Sequence, residues 1–166
     1  MKVLVAVASK HGGTQEIAYG IGQVLSGRGI NADVKNIETD GDIGKYQAVI
    51  LGSAVYNGSW LKIAKKFVAK HGDELATRPT WLFSSGPVGD PLIPKPRESV
   101  EIDKIMAKTK AREHHVFAGR LDKDRLGFTE KTVVRTIGAK EGDFRQWGDV
   151  IAWATEIAHD LQRSKM

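Results

Sequence analysis

The sequence predicts an α/β fold, a three-layer sandwich in which helices cover both faces of a five-stranded parallel sheet of order 2-1-3-4-5. Short aliphatic segments, typical of strands buried on both faces, alternate along the chain with segments of helical periodicity. Three of the connections that follow predicted strands are rich in glycine, hydroxyl and aromatic residues. The 166 residues, 41% of them hydrophobic, have the length and core content of one domain.

The first half of the chain contains three predicted strands, with a helix between the first two. Residues 3–8 are aliphatic and rich in β-branched side chains, which predicts a buried strand. Apolar side chains at helical spacing follow in residues 17–25. Residues 30–37 alternate between apolar and polar side chains and predict an edge strand, and residues 48–54 predict another buried strand.

The second half continues this alternation and ends in a helix over residues 143–163. Before that helix, residues 120–142 carry a short apolar-periodic piece between glycines, which predicts an inserted short helix with loops. The other predicted elements are a helix over 59–71, a strand over 79–84, a helix over 97–113 and a strand over 115–119. The side chains of the last helix that are predicted to face inward are Trp147, Ile151, Ala154, Ile157, Ala158 and Leu161.

The composition excludes several classes of protein. Without cysteine, the chain has no disulfide, thiol nucleophile or thiolate-bound iron–sulfur cluster, so redox chemistry would need an organic cofactor or a metal held by other ligands. No apolar stretch is long enough to span a bilayer and no cleavable signal precedes the first strand, so we expect a cytoplasmic protein. No nucleic-acid-binding motif is present.

The run Ser9-Lys10-His11-Gly12-Gly13-Thr14 lies between the first strand and the first helix. A helix N-terminus has unpaired N–H groups and a partial positive charge, and glycines let backbone amides approach an anion closely. Ser9 and Thr14 add hydroxyl donors. The run therefore predicts a phosphate-binding turn. The alternative is an ordinary strand–helix turn in which glycine supplies the geometry and the hydroxyls act as caps.

The pattern Ser9-x-x-Gly12-x-Thr14 after the first strand resembles the phosphate loop of the flavodoxin family, whose members bind flavin mononucleotide (FMN). It departs from the family pattern at His11, where flavodoxins commonly have a third hydroxyl. The whole chain is similar to flavodoxins, and most of all to the flavodoxin-domain branch that includes menaquinone-dependent protoporphyrinogen oxidase. Residues 52–56, 84–87 and 142–147 carry that likeness.

A second loop follows the third predicted strand. In flavodoxin-like proteins this loop lies against the isoalloxazine, often with an aromatic ring stacked on it, so the resemblance makes Tyr56 the stacking candidate and Trp60 the second choice. The alternative for Trp60 is helix packing on one apolar face with Ile63, Ala64, Phe67 and Val68. The cofactor-binding residues expected here are Ser53, Ala54, Val55, Tyr56, Asn57, Gly58 and Trp60.

A third loop, Ser85-Gly86-Pro87-Val88-Gly89, directly follows the fourth predicted strand. The resemblance implies that this loop closes over the flavin, with glycines that let backbone N–H groups face the ring carbonyls. A purely structural turn is the alternative. The three loops together predict one binding site at the carboxyl ends of the strands.

The resemblance also implies FMN held non-covalently, with electrons passing through flavin N5 and the dimethylbenzene edge and no catalytic side chain. Flavodoxins that carry electrons between soluble proteins are typically strongly acidic, whereas this chain has a net charge of +5. A positive field favours full reduction of the flavin, so we expect a two-electron oxidoreductase. Its partner would be a redox protein or a small molecule such as a quinone, a porphyrinogen or a deazaflavin of the F420 type. Basic residues in 95–97 and 120–125 are expected to form a rim that also favours an anionic membrane surface.

Two alternative functions stay open. One is a one-electron flavodoxin carrier, in which the basic residues only keep the loops solvated. The other is a non-redox binding module of the response-regulator kind, but the strand ends that need acidic residues hold Ala8-Ser9 and Gly52-Ser53. A metal site at His114-His115 is not expected, because adjacent strand residues face opposite sides of a sheet.

Overall fold

The structure is a computed structural model that describes residues 1–10, 12–37, 41–56, 58–86, 96–117, 120–121, 142–143 and 147–164. The helices in these ranges are α1 (Gly13–Gly27), α2 (Lys62–Leu75), α3 (Pro96–Thr109) and α4 (Trp147–Arg163). The strands are β1 (Lys2–Ala8), β2 (Asn31–Asn36), β3 (Ala48–Tyr56), β4 (Ser59–Trp60), β5 (Thr80–Ser85), β6 (His114–Phe117), β7 (Arg120–Leu121) and β8 (Gly142–Asp143). None of these helices is long and apolar enough to cross a lipid bilayer.

The main sheet is parallel and has the order β2-β1-β3-β5-β6. This confirms the predicted order 2-1-3-4-5, since β4 is a two-residue strand that pairs antiparallel with the end of β3. Strands β7 and β8 form a separate antiparallel pair.

The helices cover both faces of the sheet, as predicted, and divide the core in two. Along β1, alternate side chains face opposite layers. Val3, Val5 and Val7 pack with α1 and α4, whereas Leu4, Ala6 and Ala8 pack with α2 and α3. A strand that must be apolar on both faces reads as one continuous hydrophobic run, which is how residues 3–8 appear in the sequence.

The second helix differs from its predicted bounds because of tertiary contacts. The second helix was predicted over 59–71, but Ser59–Trp60 pair with β3, and α2 then runs through Gly72 to Leu75. A Cβ at Gly72 would lie 2.6 Å from the Lys108 side chain, so this glycine makes room for a neighbouring helix rather than ending its own.

The last two helices are shorter than predicted. Helix α3 ends at Thr109 rather than residue 113, and the next residue, Lys110, has a left-handed backbone with φ of 52°. Helix α4 begins at Trp147, because Gly142–Asp143 pair with β7. The short helix predicted within 120–142 lies outside the described residues, apart from the two short strands at its ends.

The inward orientation predicted for Ile151 is wrong, since this residue is 53% exposed. Trp147 faces inward only in part, since it is 40% exposed while one edge of its ring lies over Gly20 of α1. The buried stripe of α4 runs through Val150 and Trp153 instead, which places Ile151 beside it. The other four predicted positions on this helix, Ala154, Ile157, Ala158 and Leu161, are buried as expected.

Gly52 in β3 provides the space for a core aromatic ring. It lies beside Phe83 of β5, and an added Cβ would fall 2.1 Å from the ring. We expect Gly52→Ala to lower the free energy of unfolding by about 1–3 kcal/mol, the usual cost of overpacking a core. Denaturant unfolding measures the change.

Gly27→Ala is the matched control for this substitution. Apart from the adjacent residues and the backbone of α1, no heavy atom of the described residues lies within 4 Å of a Cβ built at Gly27. Its replacement at the end of this helix should therefore be neutral or stabilising by about 0.5–1 kcal/mol. Equal stabilities for the two variants would show that the Phe83 ring moves aside at no cost.

Candidate functional site

The register of the central strands brings three loops to one edge of the sheet. Ala8 pairs with Ser53, and Ser53 pairs with Ser84, so β1, β3 and β5 end side by side. The residues that follow these ends are the ones that the sequence singled out. The structure therefore brings the predicted site residues that it describes to a common edge.

The first loop turns sharply into α1. Gly12 has a left-handed backbone with φ of 85°, which a residue without a Cβ adopts at little cost. Its N–H donates to Ser9 Oγ at 3.0 Å, and its carbonyl accepts the first helical hydrogen bond from Glu16 N–H at 3.1 Å. In the described part of this turn no side chain caps α1, so the first-turn N–H groups are left for an anion.

The remaining residues of this loop have different exposures. Gly13 is half-buried, Thr14 is buried in the first helical turn, and Lys10 is exposed. The Lys10 Nζ lies 4.4 Å from the centroid of the Tyr56 ring, a cation–π contact that joins the first loop to the second. His11 lies outside the described residues.

The second loop is a β-hairpin. Val55 pairs with Trp60 and Tyr56 pairs with Ser59, and Gly58 in the turn has φ of 74°. Ala54, Val55 and Tyr56 are half-buried and so present part of their surface at the strand ends. Asn57 lies outside the described residues.

Two residues of the second loop serve the fold. Ser53 is fully buried, and its Oγ accepts the Leu61 N–H at 3.1 Å and donates to the Ala54 carbonyl at 2.9 Å. Trp60 is 2% exposed in the α2–α3 core, where its indole N–H donates to Ser84 Oγ at 2.8 Å. These contacts favour packing over contact with a ligand for Trp60. It packs as a residue of β4, however, and not on the expected helix face, where Ile63 is 38% exposed.

The third loop leaves β5 through Ser85, which is buried beside Ala54. Gly86 follows with φ of 89°, and its N–H donates to the Phe117 carbonyl at 2.9 Å. That amide is therefore engaged by β6. The rest of this loop, Pro87, Val88 and Gly89, lies outside the described residues, as do the side chains of the basic segments 95–97 and 120–125.

Trp60, Ser84 and His114 form a hydrogen-bonded chain that the sequence did not predict. Successive members of this chain are 24 and 30 residues apart. Ser84 Oγ lies 2.7 Å from His114 Nε2, while it accepts the Trp60 indole N–H. Burial, with a smaller effect of the neighbouring His115, lowers the pKa of His114 to about 4. The ring is neutral at pH 7, so a hydroxyl proton donated by Ser84 to Nε2 satisfies both groups.

His115 faces the opposite layer, as the alternation along a strand predicts. Its Nε2 lies 3.0 Å from Asp149 Oδ2, and its ring stacks on Trp153 with centroids 5.2 Å apart. Within the described ranges no cluster of three or more His, Cys, Asp or Glu side chains is placed to hold a metal ion.

We expect His114 to make stability depend on pH. Its folded pKa of about 4 lies below the ordinary value of 6.5, so the unfolded chain takes up a proton first as the pH falls. The contribution of the neutral His114 ring to the free energy of unfolding is complete above pH 6.5 and is lost as the pH falls from 6.5 to 4. Between pH 4 and 6.5, His114→Gln should reduce the slope of the free energy of unfolding with pH, by up to about 1.4 kcal/mol per pH unit.

His159→Gln, which replaces an exposed ring on α4, is the control for the urea unfolding series. An unchanged pH slope in His114→Gln would mean that the His114 ring is solvated in the folded protein.

Comparisons with known proteins agree with this architecture. Residues 4–146 match the family described as Flavodoxin domain. The protoporphyrinogen IX dehydrogenase [quinone] of Escherichia coli K12 is 27% identical over 173 residues, which cover 96% of each chain. Among solved structures, a flavodoxin from the domain Archaea superposes with a TM-score of 0.64 at 16% identity, covering 98% of this chain and 99% of that one. A cysteine-to-serine mutant of the flavodoxin from Pseudomonas aeruginosa gives 0.62 at 16% identity with the same coverage.

At 16% identity, each of the two solved structures shows only that its fold is the same as that of this chain. The family match spans most of the chain and includes all three loops at the strand ends. The chain therefore belongs to the Flavodoxin domain family.

Proposed function

We propose that this chain binds FMN at the carboxyl ends of β1, β3 and β5 and works as a two-electron oxidoreductase with a quinone. The observation that carries the proposal is the uncapped start of α1, which lies beside the Tyr56 hairpin and the Gly86 turn at one sheet edge. FMN, when bound, supplies the redox chemistry through its isoalloxazine ring. The protein residues bind and orient it and set the charge around it.

The first loop fits the phosphate of FMN. The loop leads into the N-terminus of α1, which offers backbone N–H donors and the positive end of the helix dipole to a dianion. Ser9 Oγ already accepts the Gly12 N–H, so the hydroxyl proton of Ser9 is left to donate to a ligand. Thr14 adds a hydroxyl in the first helical turn. We assign phosphate binding to Ser9, Gly12, Gly13 and Thr14.

The second and third loops fit the ring system. Tyr56 is half-buried at the end of β3 and is assigned the stacking role. Gly86 lies close to the second loop, since a Cβ at Gly86 would be 3.6 Å from the Val55 carbonyl oxygen. The two loops begin at the same sheet edge as the proposed phosphate site, so we assign the ring system to this edge.

The positive charge supports two-electron chemistry. Lys10 is exposed and lies against the Tyr56 ring, so a cation stands beside the proposed flavin position. A nearby cation stabilises the negative charge that the cofactor gains on full reduction. The E. coli relative is named for a quinone, which makes a quinone the first partner to test, with a porphyrinogen or a deazaflavin next. A one-electron carrier is the alternative.

Phosphate binding is tested by Ser9→Ala and Thr14→Ala. Each variant should lose about 1–2 kcal/mol of FMN binding, because a hydrogen bond to a charged group is removed. This corresponds to a rise in Kd of about 5–30-fold, measured by flavin fluorescence titration.

Riboflavin, which lacks the phosphate, should lose no affinity in these two variants. Thr155→Ala is the control, because the Thr155 hydroxyl donates to the Ile151 carbonyl within its own helix, α4. FMN binding that is unchanged in both Ser9→Ala and Thr14→Ala would remove the first loop from the site.

The redox role is tested by potentiometric titration of the FMN-loaded protein. The two one-electron potentials should lie close together, and the rate of quinone reduction should exceed that of one-electron acceptors. Lys10→Gln should make the two-electron potential more negative by about 30 mV, the equivalent of about 1.4 kcal/mol for two electrons.

The matched control is Lys45→Gln, which removes the same charge from a lysine over Tyr46 at the opposite end of the sheet. Widely separated potentials, with one-electron acceptors preferred, would assign the protein to the carrier class. Equal shifts in the two lysine variants would remove Lys10 from the neighbourhood of the ring.

A further inference from the structure

Strand β4 has one open edge, and a carboxylate from a distant helix covers it. Glu101 lies on α3, 41 residues beyond Trp60, with its side chain 19% exposed. Its Oε1 accepts the Trp60 backbone N–H at 2.9 Å, and its Oε2 accepts the Ser59 hydroxyl at 2.8 Å. The two oxygens thus hold both residues of β4.

This contact takes the place of a missing neighbour strand. An edge strand leaves backbone N–H groups without a ladder partner, and a largely buried N–H without one is costly. Glu101 supplies the acceptor for Trp60. Lys65 reinforces the arrangement, since its Nζ donates to Ser59 Oγ at 3.0 Å and lies 3.9 Å from the Glu101 carboxylate.

The hairpin transmits this constraint to Tyr56. Ser59 is the cross-strand partner of Tyr56, so the position of Ser59 sets the backbone that carries the proposed stacking ring. Trp60 is held from a second side by its indole bond to Ser84. With β4 fixed to α3 and to β5, the Tyr56 backbone at the hairpin tip has little freedom to move away from the sheet edge.

We propose that Glu101 is a positioning residue for the flavin ring, which acts by clamping the β3–β4 hairpin and so orienting Tyr56. The inference rests on the proposed function, since it assigns a role in FMN binding to a residue outside the three loops. Glu101 contacts the hairpin and Lys65 of α2, and we assign it no part in electron transfer.

Two substitutions test the clamp. Glu101→Ala removes both acceptors at a helical position that alanine suits, and Glu101→Gln keeps one oxygen acceptor for the Trp60 N–H. Asp103→Ala is the matched control, because it removes an exposed carboxylate two residues further along the same helix. Thermal unfolding of each variant checks that it is folded.

The first readout needs no flavin. Hydrogen exchange at the Trp60 amide should speed up by about tenfold in Glu101→Ala, the factor that 1.4 kcal/mol of local opening gives. Glu101→Gln should show a smaller increase, and Asp103→Ala none. Unchanged exchange in Glu101→Ala would overturn the clamp.

The second readout separates positioning from a merely structural role. In Glu101→Ala the Kd values of FMN and riboflavin should rise by the same factor, about tenfold for 1.4 kcal/mol, because the ring half of the site is disturbed. Quenching of flavin fluorescence by the protein should weaken in parallel.

Faster Trp60 exchange with flavin affinity and quenching equal to those of Asp103→Ala would overturn the positioning role. A wild-type protein that binds neither flavin would overturn the proposed function and the inference with it. Wild-type binding with an unaffected Glu101→Ala variant would overturn the inference alone.

Discussion

The parallel pairing of β1, β3 and β5 is the constraint on which the rest of this structure depends. It aligns Ala8, Ser53 and Ser84, so the segments that leave these strands begin at one edge of the sheet. Both faces of the sheet are covered by helices, and the strands are accordingly apolar. The polar groups available for binding are therefore concentrated at the strand ends, which is where doubly wound folds bind ligands.

The polar groups at this edge fall into two sets. One set is hydrogen-bonded within the protein. It includes the Ser53 hydroxyl, the Gly86 N–H and the Ser84 hydroxyl, which bond to neighbouring loops and strands. The other set, which includes the start of α1 and the Ser9 hydroxyl proton, belongs to the ligand site that we propose. The internal bonds hold the loops in place before any ligand arrives, which lowers the entropic cost of binding.

The fold by itself does not decide the chemistry, because flavodoxin-like sheets at 16% identity superpose over nearly the full chain. Two physical features of this chain bear on the chemistry that we propose, its net charge and its anchoring of the hairpin. The net charge of +5 and the position of Lys10 favour an anionic ligand or partner at the site. Glu101 places a half-buried carboxylate beside the hairpin, where it bonds to both residues of β4.

The strand order could be predicted from the topology rules of doubly wound sheets. The sequence by itself determined the alternation of strands and helices and the glycine turn at Gly12 that begins α1. These are local properties: buried strands need apolar runs, and a turn into a helix with φ above zero needs a glycine such as Gly12. Only the tertiary structure decided that Ser59–Trp60 leave the helix to pair with β3, and that Ile151 faces outward.

The tertiary structure also decided which candidate residues are taken up by the core. The sequence left both a packing role and a ligand contact open for Trp60, and the structure places it inside, with its indole N–H bonded to Ser84. His114 and Glu101 carry no local signal, because their partners lie 30 and 41 or more residues away and meet them only through the pairing of strands and the packing of α3. Periodicity reports which face a residue occupies, whereas long-range polar contacts depend on the register between elements.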